Sequence, residues 1–257
     1  MEERQLSRTQ ACKILKCSRN NKYYRKLMPD KDEQLKQVIE QTIGFSRKGR
    51  MKVIRLIQKQ QPAIGSSRIR RVYERYGFAL TKKLKRRVKD NPKNPIAVPL
   101  ARNIEWGMDF MSDALIDGRR IRTLNIVEQY NRECLGIRVA HSITAKSVIE
   151  FLEQRIEIHG KPISIRTDNG PEFTSKAFQL WLHNKKINWS KIEKGAPQQN
   201  AIVERFNRTY REDILDAYLF KNIKHAQEIT NNWIEEYNTK RPHQSLNQLT
   251  PHEFAAA

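Results

Sequence analysis

The feature that most restricts the fold of this chain is the change of hydrophobic period after residue 103. Residues 104–113, 121–129 and 134–140 read as strands, and Asp117-Gly118 is a typical hairpin turn between the first two. Strands that follow one another through tight turns pair antiparallel. These segments therefore predict the antiparallel part of a sheet.

The remainder of this region alternates helices with strands. Helices are predicted at residues 144–160, 175–186 and 196–219, and strands at 163–167 and 187–192. The order β-β-β-α-β-α-β-α indicates a mixed α/β fold, a five-stranded sheet with flanking helices. We expect a core over residues 104–220, followed by a C-terminal helix and tail over residues 221–257.

Nearly all of the excess positive charge lies in the first two fifths of the chain. Residues 1–98 hold 27 basic and 8 acidic residues, which is +19 of the total net charge of +21, and residues 41–73 contain no acid. Such a distribution indicates a polyanion-binding part joined to a nearly neutral part. A Pro-rich linker at residues 91–103 is the predicted boundary between them.

Two small all-α modules are predicted before this linker. Residues 1–45 resemble a helix-turn-helix followed by a mobile-looking segment, MPDKDEQ, and residues 46–90 predict a second basic unit of three helices. An ordinary helical hairpin with a solvated basic face remains open for the first module. Their predicted DNA contacts are Arg19, Lys22, Arg25, Arg68, Arg70, Arg71, Lys82, Lys83, Arg86 and Arg87.

Several classes of protein are disfavoured by composition. Cys12, Cys17 and Cys134 are too few and too scattered for a disulfide framework or a four-ligand zinc site. No apolar run approaches the length of a membrane span, and the N-terminus has no signal-type segment. We therefore expect a soluble cytoplasmic protein that is not exported and has no membrane or zinc partner.

Three acidic residues stand at positions where strands and a helix can bring them together. Asp109 lies in the middle of an apolar strand, and Asp168 ends a short strand before Asn-Gly. Glu204 lies within a helix, and thirty-five residues separate it from Asp168. A carboxylate inside an apolar strand is unfavourable unless it is paired or binds a cation. Asp113 and Glu172 are weaker candidates, because the first is close to the strand end and the second is placed to cap a turn.

Polar side chains share the helical face of Glu204. Seven residues are nearly two helical turns, so Asn200, Asn207, Arg208 and Arg211 lie on one side of this helix. Amides and guanidiniums beside three carboxylates suit a phosphodiester ligand. Three carboxylates are also what a pair of Mg²⁺ ions needs in order to activate a nucleophile for in-line displacement.

These motifs resemble one known family. WGMDFMSD, RTDNGPEF, the thirty-five-residue gap, GAPQQNAIVERFNRTYRED and YNTKRPHQSLNQLTP are similar to the second-frame products of bacterial insertion sequences of the insertion-sequence-three family. The resemblance implies a ribonuclease H-like core of the retroviral-integrase type with Asp109, Asp168 and Glu204 as a DDE triad. It also implies that Arg211 contacts DNA ends.

The resemblance further implies a transposase that uses Mg²⁺ or Mn²⁺, two ions for each site. It would bind the terminal inverted repeats of its element, cut at the 3′ ends and join the freed 3′-hydroxyl to a phosphodiester of a target. Joining would first occur between the element's own ends, through a circular intermediate. A homo-oligomer on DNA, a nucleoid location and a fusion to an upstream reading frame are expected as well. Two departures are Ala196, where members often carry Lys, and Glu128, where they often carry Asp.

Two other functions remain to be distinguished from this one. A non-catalytic regulator that only occupies the element ends would share the DNA-binding modules, but the intact carboxylate trio argues against it. A ribonuclease H-type nuclease or a Holliday-junction enzyme is disfavoured by the two N-terminal modules and by a Glu on a long helix.

Overall fold

The computed structural model describes residues 12, 14, 28–44, 49–79, 99–193 and 197–257. The predicted contacts Arg19, Lys22, Arg25, Lys82, Lys83, Arg86 and Arg87 lie outside these residues, as do Ala196 and most of the predicted linker. Within the described part of the chain, no helix is long and apolar enough to cross a membrane.

Three helices form an N-terminal helical unit. They are α1 (Met28–Ile43), α2 (Arg50–Gln60) and α3 (Ser66–Arg75). Their apolar faces meet in one core made by Leu35, Ile39, Val53, Ile54, Ile57, Ile69, Val72 and Tyr73. The predicted boundary after residue 45 therefore passes between helices that share a core.

The expectation of a mobile segment at MPDKDEQ is wrong, because these residues form the first turns of α1. Proline is tolerated in a first helical turn, where its missing N–H has no intrahelical partner. Asp32 follows in the next turn and is only 1% exposed. It accepts hydrogen bonds of 3.0 Å from Arg71 and 3.4 Å from Arg68, so a buried charge cluster joins α1 to α3.

A five-stranded mixed sheet forms the centre of the core domain. Its strands are β1 (Glu105–Ala114), β2 (Arg120–Glu128), β3 (Cys134–Ala140), β4 (Ser164–Thr167) and β5 (Asn188–Lys191). The order in space is β3-β2-β1-β4-β5, with the first three strands antiparallel and β4 and β5 parallel to β1. This topology confirms the predicted ribonuclease H-like α/β fold.

Helices cover both faces of this sheet. The remaining ones are α4 (Ala145–His159), α5 (Pro171–Thr174), α6 (Lys176–Lys185), α7 (Ala201–Tyr210), α8 (Ile223–Thr239) and α9 (Pro251–Ala256). One hydrophobic core includes Phe151 of α4 and Phe178 of α6 against Trp106. A second includes Phe206 of α7 and Trp233 of α8. Since α8 contributes to that second core, the predicted boundary at residue 220 does not isolate it.

The long helix predicted at residues 196–219 is broken into three parts. A 3₁₀ turn at Pro197–Asn200 precedes α7, and a π-helical turn at Arg211–Leu215 comes directly after it. A π turn adds a residue to the helical repeat, and the side chains beyond it therefore point in a different direction. This rotation accompanies the burial of Asp213, which accepts hydrogen bonds from Trp233 Nε1 and Arg241.

Candidate active site

Asp109 lies at the centre of β1, directly opposite Asn125 of β2. Its side chain is half-buried and is held by two hydrogen bonds. The Phe110 N–H donates to Oδ1 at 2.8 Å, and the Asn207 side-chain amide donates to Oδ2 at 2.7 Å. The strand and the helix α7 therefore fix this carboxylate together.

The parallel register of β1 and β4 brings Asp168 beside Asp109. Glu105 pairs with Ser164 and Gly107 with Arg166, so the same offset continued by two residues sets position 168 next to position 109. Neighbouring strands lie about 4.8 Å apart. Asp168 is exposed just beyond the end of β4, and its Oδ1 accepts a hydrogen bond of 3.0 Å from Gly170 N, which orders the turn.

Glu204 reaches the same region from the first turn of α7, where it is exposed. Helix α7 approaches the sheet closely because Gly107 has no side chain: a Cβ there would overlap Val203 of α7 and meet Gln129 Nε2. Backbone contact of this kind is what a glycine in a strand permits. The missing side chain thus determines how near Glu204 comes to β1.

The three carboxylates interact electrostatically. Burial, together with the negative charges of Asp168 and Glu204, outweighs the two hydrogen bonds and raises the pKa of Asp109 to about 6. The described residues nevertheless contain no group of three His, Cys, Asp or Glu side chains already close enough to hold one metal ion. The charges of the three acids therefore affect one another, but the three side chains do not meet closely enough to hold one metal ion.

The buried residues Asn125 and Asn207 hold Asp109 in position, and a third buried asparagine, Asn200, lies at the start of α7. Asn125 is fully buried, and its Nδ2 donates to Asn207 Oδ1 at 2.7 Å, which leaves the Asn207 amide to donate to Asp109. Asn200 is also buried, and its Oδ1 has no hydrogen-bond partner among the described residues. The geometry of Asn207 favours positioning of Asp109 over direct contact with a ligand.

Comparison with known proteins agrees with this geometry. The integrase core domain family matches at residues 99–197 and, in a second form, at residues 185–251. A protein of insertion element IS407 from Burkholderia multivorans is 33% identical over 257 residues, which cover 99% of this chain and 92% of that protein. A protein of insertion element IS476 from Xanthomonas euvesicatoria is 32% identical, with 100% of this chain and 74% of that protein covered.

The chain belongs to the insertion-element transposases with an integrase core domain. This membership supports a role in DNA integration and transposition and the enzyme class of the polynucleotidyl transferases.

Solved structures show the same fold. The catalytic core domain of HTLV-2 integrase aligns with a TM-score of 0.50 at 22% identity, covering 61% of the transposase and 98% of that domain. A simian T-cell lymphotropic virus intasome chain aligns with a TM-score of 0.53 at 16% identity, covering 82% of the transposase and 71% of that chain.

The basic residues predicted near the transposase site differ in their surroundings. Arg208 is exposed on α7. Arg211 donates to the carbonyl oxygen of Ser112 at 2.9 Å and lies 3.9 Å from Asp113 Oδ2, so it joins the π turn to the end of β1. In the helical unit, Arg70 is exposed, whereas Arg68 and Arg71 bind the buried Asp32.

The two weaker acidic candidates have local partners. Glu172 forms an ion pair with Arg122, whose guanidinium stacks 4.4 Å from the centre of the Phe110 ring. Asp113 accepts a hydrogen bond from the Ala114 N–H at 2.8 Å. Glu128 is fully buried and accepts hydrogen bonds from the N–H groups of Asn103 and Tyr130. Each of these acids therefore has a partner within the protein, although Glu172 Oε2 has none among the described residues.

Asn125 and Gly107 are the two residues of this site that sequence reasoning missed. A signal existed for each, since Asn125 interrupts the apolar strand RTLNIVE and Gly107 interrupts EWGMDF. An amide in a strand core is expected to find a hydrogen-bond partner. A glycine there indicates close approach of another element.

Proposed function

We propose that this transposase binds the ends of its insertion element and catalyses metal-dependent 3′-end cleavage and strand transfer with Asp109, Asp168 and Glu204. The observation that carries the proposal is the placement of Asp168 and Glu204 near the half-buried Asp109, where burial and their charges raise the pKa of Asp109. Uncompensated carboxylates placed together in this way are stabilised by a bound cation.

The chemistry of the residues fits a divalent metal. Mg²⁺ and Mn²⁺ prefer carboxylate oxygens, and all three acids offer them. The HTLV-2 integrase core that resembles this fold was determined in complex with magnesium. When bound, two such ions supply a Lewis acid that lowers the pKa of the attacking water or 3′-hydroxyl and stabilises the leaving oxygen. Asp109, Asp168 and Glu204 would hold them.

The other residues position the DNA and the acids. Asn207 holds Asp109 in place, and Arg208 and Arg211 lie on the same helical side as Glu204, where they can contact the phosphates flanking the scissile bond. Asn200 has a buried oxygen that remains available for a donor. A phosphodiester held beside the attacking water or 3′-hydroxyl can be cleaved directly. No covalent enzyme intermediate is then needed.

DNA binding is assigned to the basic N-terminal region together with this site. Of the net charge of +21, +19 lies in residues 1–98, which suits the terminal inverted repeats of the element. Because two ends must meet before joining, a homo-oligomer assembled on DNA is part of the proposal, as is help from an upstream-frame product. A nucleoid location in the bacterial cytoplasm follows from the same partner.

The test uses the full chain with duplexes that carry the ends of its element. Wild-type protein with Mg²⁺ should nick the 3′ ends and join them to a second DNA, and Asp109→Asn and Glu204→Gln should still bind those ends but cut at least about 1,000-fold more slowly. A regulator that only occupies the ends would bind equally well and cut nothing in any form. Survival of cleavage in both variants would remove these acids from the mechanism.

A further inference from the structure

A basic groove lies beside α7, at the junction between the helical unit and the core. Two adjoining cavities of about 520 Å³ and 630 Å³ form it, and they share Lys52, Pro242 and Gln244 in their walls. We call it the junction groove. Cavities of this size accept nucleotide-sized ligands, and their continuity suits an extended chain more than a single small ion.

Five side chains that carry a positive charge converge on the junction groove from separate parts of the chain, and the uncharged ring of His243 lies beside them. The five are Lys52 and Arg55 of α2, Arg132 before β3, Arg205 of α7 and Arg241 after α8. The part of the cavity lined by Arg205 has no acidic side chain among the described residues. The other part has Glu74, which is paired with Arg50. The groove is therefore strongly positive.

Most of this charge is uncompensated. Among the described residues, Lys52, Arg55 and Arg205 have no ion-pair partner, and Arg132 donates only to the neutral carbonyl oxygen of Gln129. Arg241 is neutralised by the buried Asp213, as Arg50 is by Glu74. Like charges held together without counter-ions destabilise the folded protein unless an anion binds between them.

Two groups in the groove, Lys52 and His243, lack a partner that an anion could supply. Burial and the nearby charges of Arg241 and Arg205 outweigh those of Asp213 and Glu212 and lower the pKa of Lys52 to about 8. The half-buried ring of His243 packs against Tyr237, and its Nε2 has no hydrogen-bond partner in the described part of the chain. An incoming acceptor oxygen would stabilise the Lys52 ammonium, and it would also accept a hydrogen bond from His243 Nε2 in the tautomer that carries the proton there.

The position of the groove relates it to the catalytic acids. Arg205 follows Glu204 on α7, and consecutive helical residues point about 100° apart. Glu204 therefore faces the carboxylates while Arg205 faces the groove. The opposite wall comes from α2 of the helical unit, so a ligand in the groove contacts both parts of the protein at once.

We propose that the junction groove binds the phosphodiester backbone of the DNA on which the transposase acts, and that one DNA molecule thereby joins the helical unit to the catalytic core. The choice of DNA as the ligand rests on the proposed function. Binding in the groove, however, does not depend on the chemistry of the carboxylates. A polyanion with regularly spaced phosphates matches several cations spread along an open groove.

The first test measures binding of a short fluorescent DNA duplex by anisotropy with EDTA present, over about 50 to 200 mM salt. The double variant Lys52→Gln with Arg205→Gln should bind about tenfold more weakly for each lost phosphate contact, with a salt slope shallower by about 0.9 for each. The matched control is Lys146→Gln with Lys176→Gln, which removes the same charge from exposed positions on α4 and α6, across the sheet. An equal loss in both pairs overturns the proposal.

The second test needs no substitution. The low pKa of Lys52 makes its amine reactive toward an acetylating reagent at neutral pH, and mass spectrometry reads the modification at each lysine. The DNA duplex should protect Lys52 and leave Lys146 unprotected. Inorganic phosphate at the same phosphate concentration should protect neither. Equal protection by inorganic phosphate would make this a general anion site and overturn the DNA assignment.

These measurements separate the groove from the catalytic proposal. Asp109→Asn should bind the duplex as tightly as wild type in EDTA, because its role lies in the chemistry. If wild type never cuts DNA while the groove pair still loses binding, the catalytic proposal fails and the groove stands. If the groove pair binds DNA normally and loses self-association instead, the groove receives an acidic segment of a second copy and the DNA proposal is wrong.

Discussion

The side-chain amide of Asn207 donates a 2.7 Å hydrogen bond to Asp109 Oδ2, and thereby ties α7 to the central strand β1. Asn125 orients that amide by donating to its oxygen, so the direction of the bond is fixed from the buried side. An outer-shell hydrogen bond of this kind keeps a metal-binding carboxylate in one orientation.

Removal of this bond should weaken catalysis without weakening DNA binding. We expect Asn207→Ala to cut DNA about 10- to 100-fold more slowly and to require more Mg²⁺ for half-maximal activity. Asn125→Ala should shift the Mg²⁺ requirement in the same direction, since the Asn207 amide would lose its orienting donor. The cleavage rate against Mg²⁺ concentration is the measurement. An unchanged Mg²⁺ requirement in both variants would show that the bond has no positioning role.

Gly107 should be intolerant of even one added carbon. A Cβ at this position overlaps Val203, so Gly107→Ala must push α7 away from β1 and move Glu204 with it. We expect a loss of about 1 to 3 kcal/mol in the free energy of unfolding together with slower cleavage. Gly49→Ala is the matched control, because an added Cβ there meets no atom within 4 Å. Denaturant unfolding of both variants measures the difference, and equal stability would contradict this packing.

Much of the fold was readable from the sequence because its determinants are local. The hairpin turn at Asp117-Gly118 and the period of each strand are properties of short segments, and β1, β2 and β3 appear where the pattern predicts them. The spacing of Asp168 and Glu204 also needs no knowledge of distant residues. The parallel register that sets position 168 beside Asp109 was not visible, since it depends on pairing across about sixty residues.

Other features escaped prediction because their causes are distant in sequence. Asp32 reads as a surface residue in MPDKDEQ, and only the fold brings Arg68, Arg71 and Arg75 around it. Helix α9 was not predicted from the sequence either. It begins with a capping box between Thr250 and Glu253, and it is held by an ion pair between Glu253 and Lys59 of α2.

The Asp32 cluster predicts where the helical unit is vulnerable. Asp32→Asn leaves three arginines without their shared carboxylate, and we expect a loss of about 2 kcal/mol, modest because the guanidiniums remain partly exposed. Asp117→Asn removes an exposed pair with Arg119 and should change stability by less than about 0.5 kcal/mol. Hydrogen exchange of α1 and α3 would detect the difference. Similar protection in the two variants would argue against the cluster.

The burial of His243 predicts a pH-dependent stability. Burial and the nearby Arg241, Lys52 and Arg132 lower its pKa from 6.5 to about 3, so the unfolded chain takes up a proton that the folded protein refuses. The stability is complete above pH 6.5 and declines below it, at up to about 1.4 kcal/mol for each pH unit. His243→Gln should lose this part of the slope. Unfolding curves between about pH 7 and pH 5 give the comparison, and parallel curves for the two proteins would contradict it.

The central claim is that Asp109, Asp168 and Glu204, and not their acidic neighbours, perform the chemistry. The most direct measurement is the rate of 3′-end cleavage of an element end by five single variants that each exchange one acid for its amide. Asp109→Asn, Asp168→Asn and Glu204→Gln should each cut at least about 1,000-fold more slowly than wild type, whereas Asp113→Asn and Glu172→Gln should stay within about tenfold. Near-normal cleavage by any of the first three, or a complete loss in either of the last two, would contradict the account.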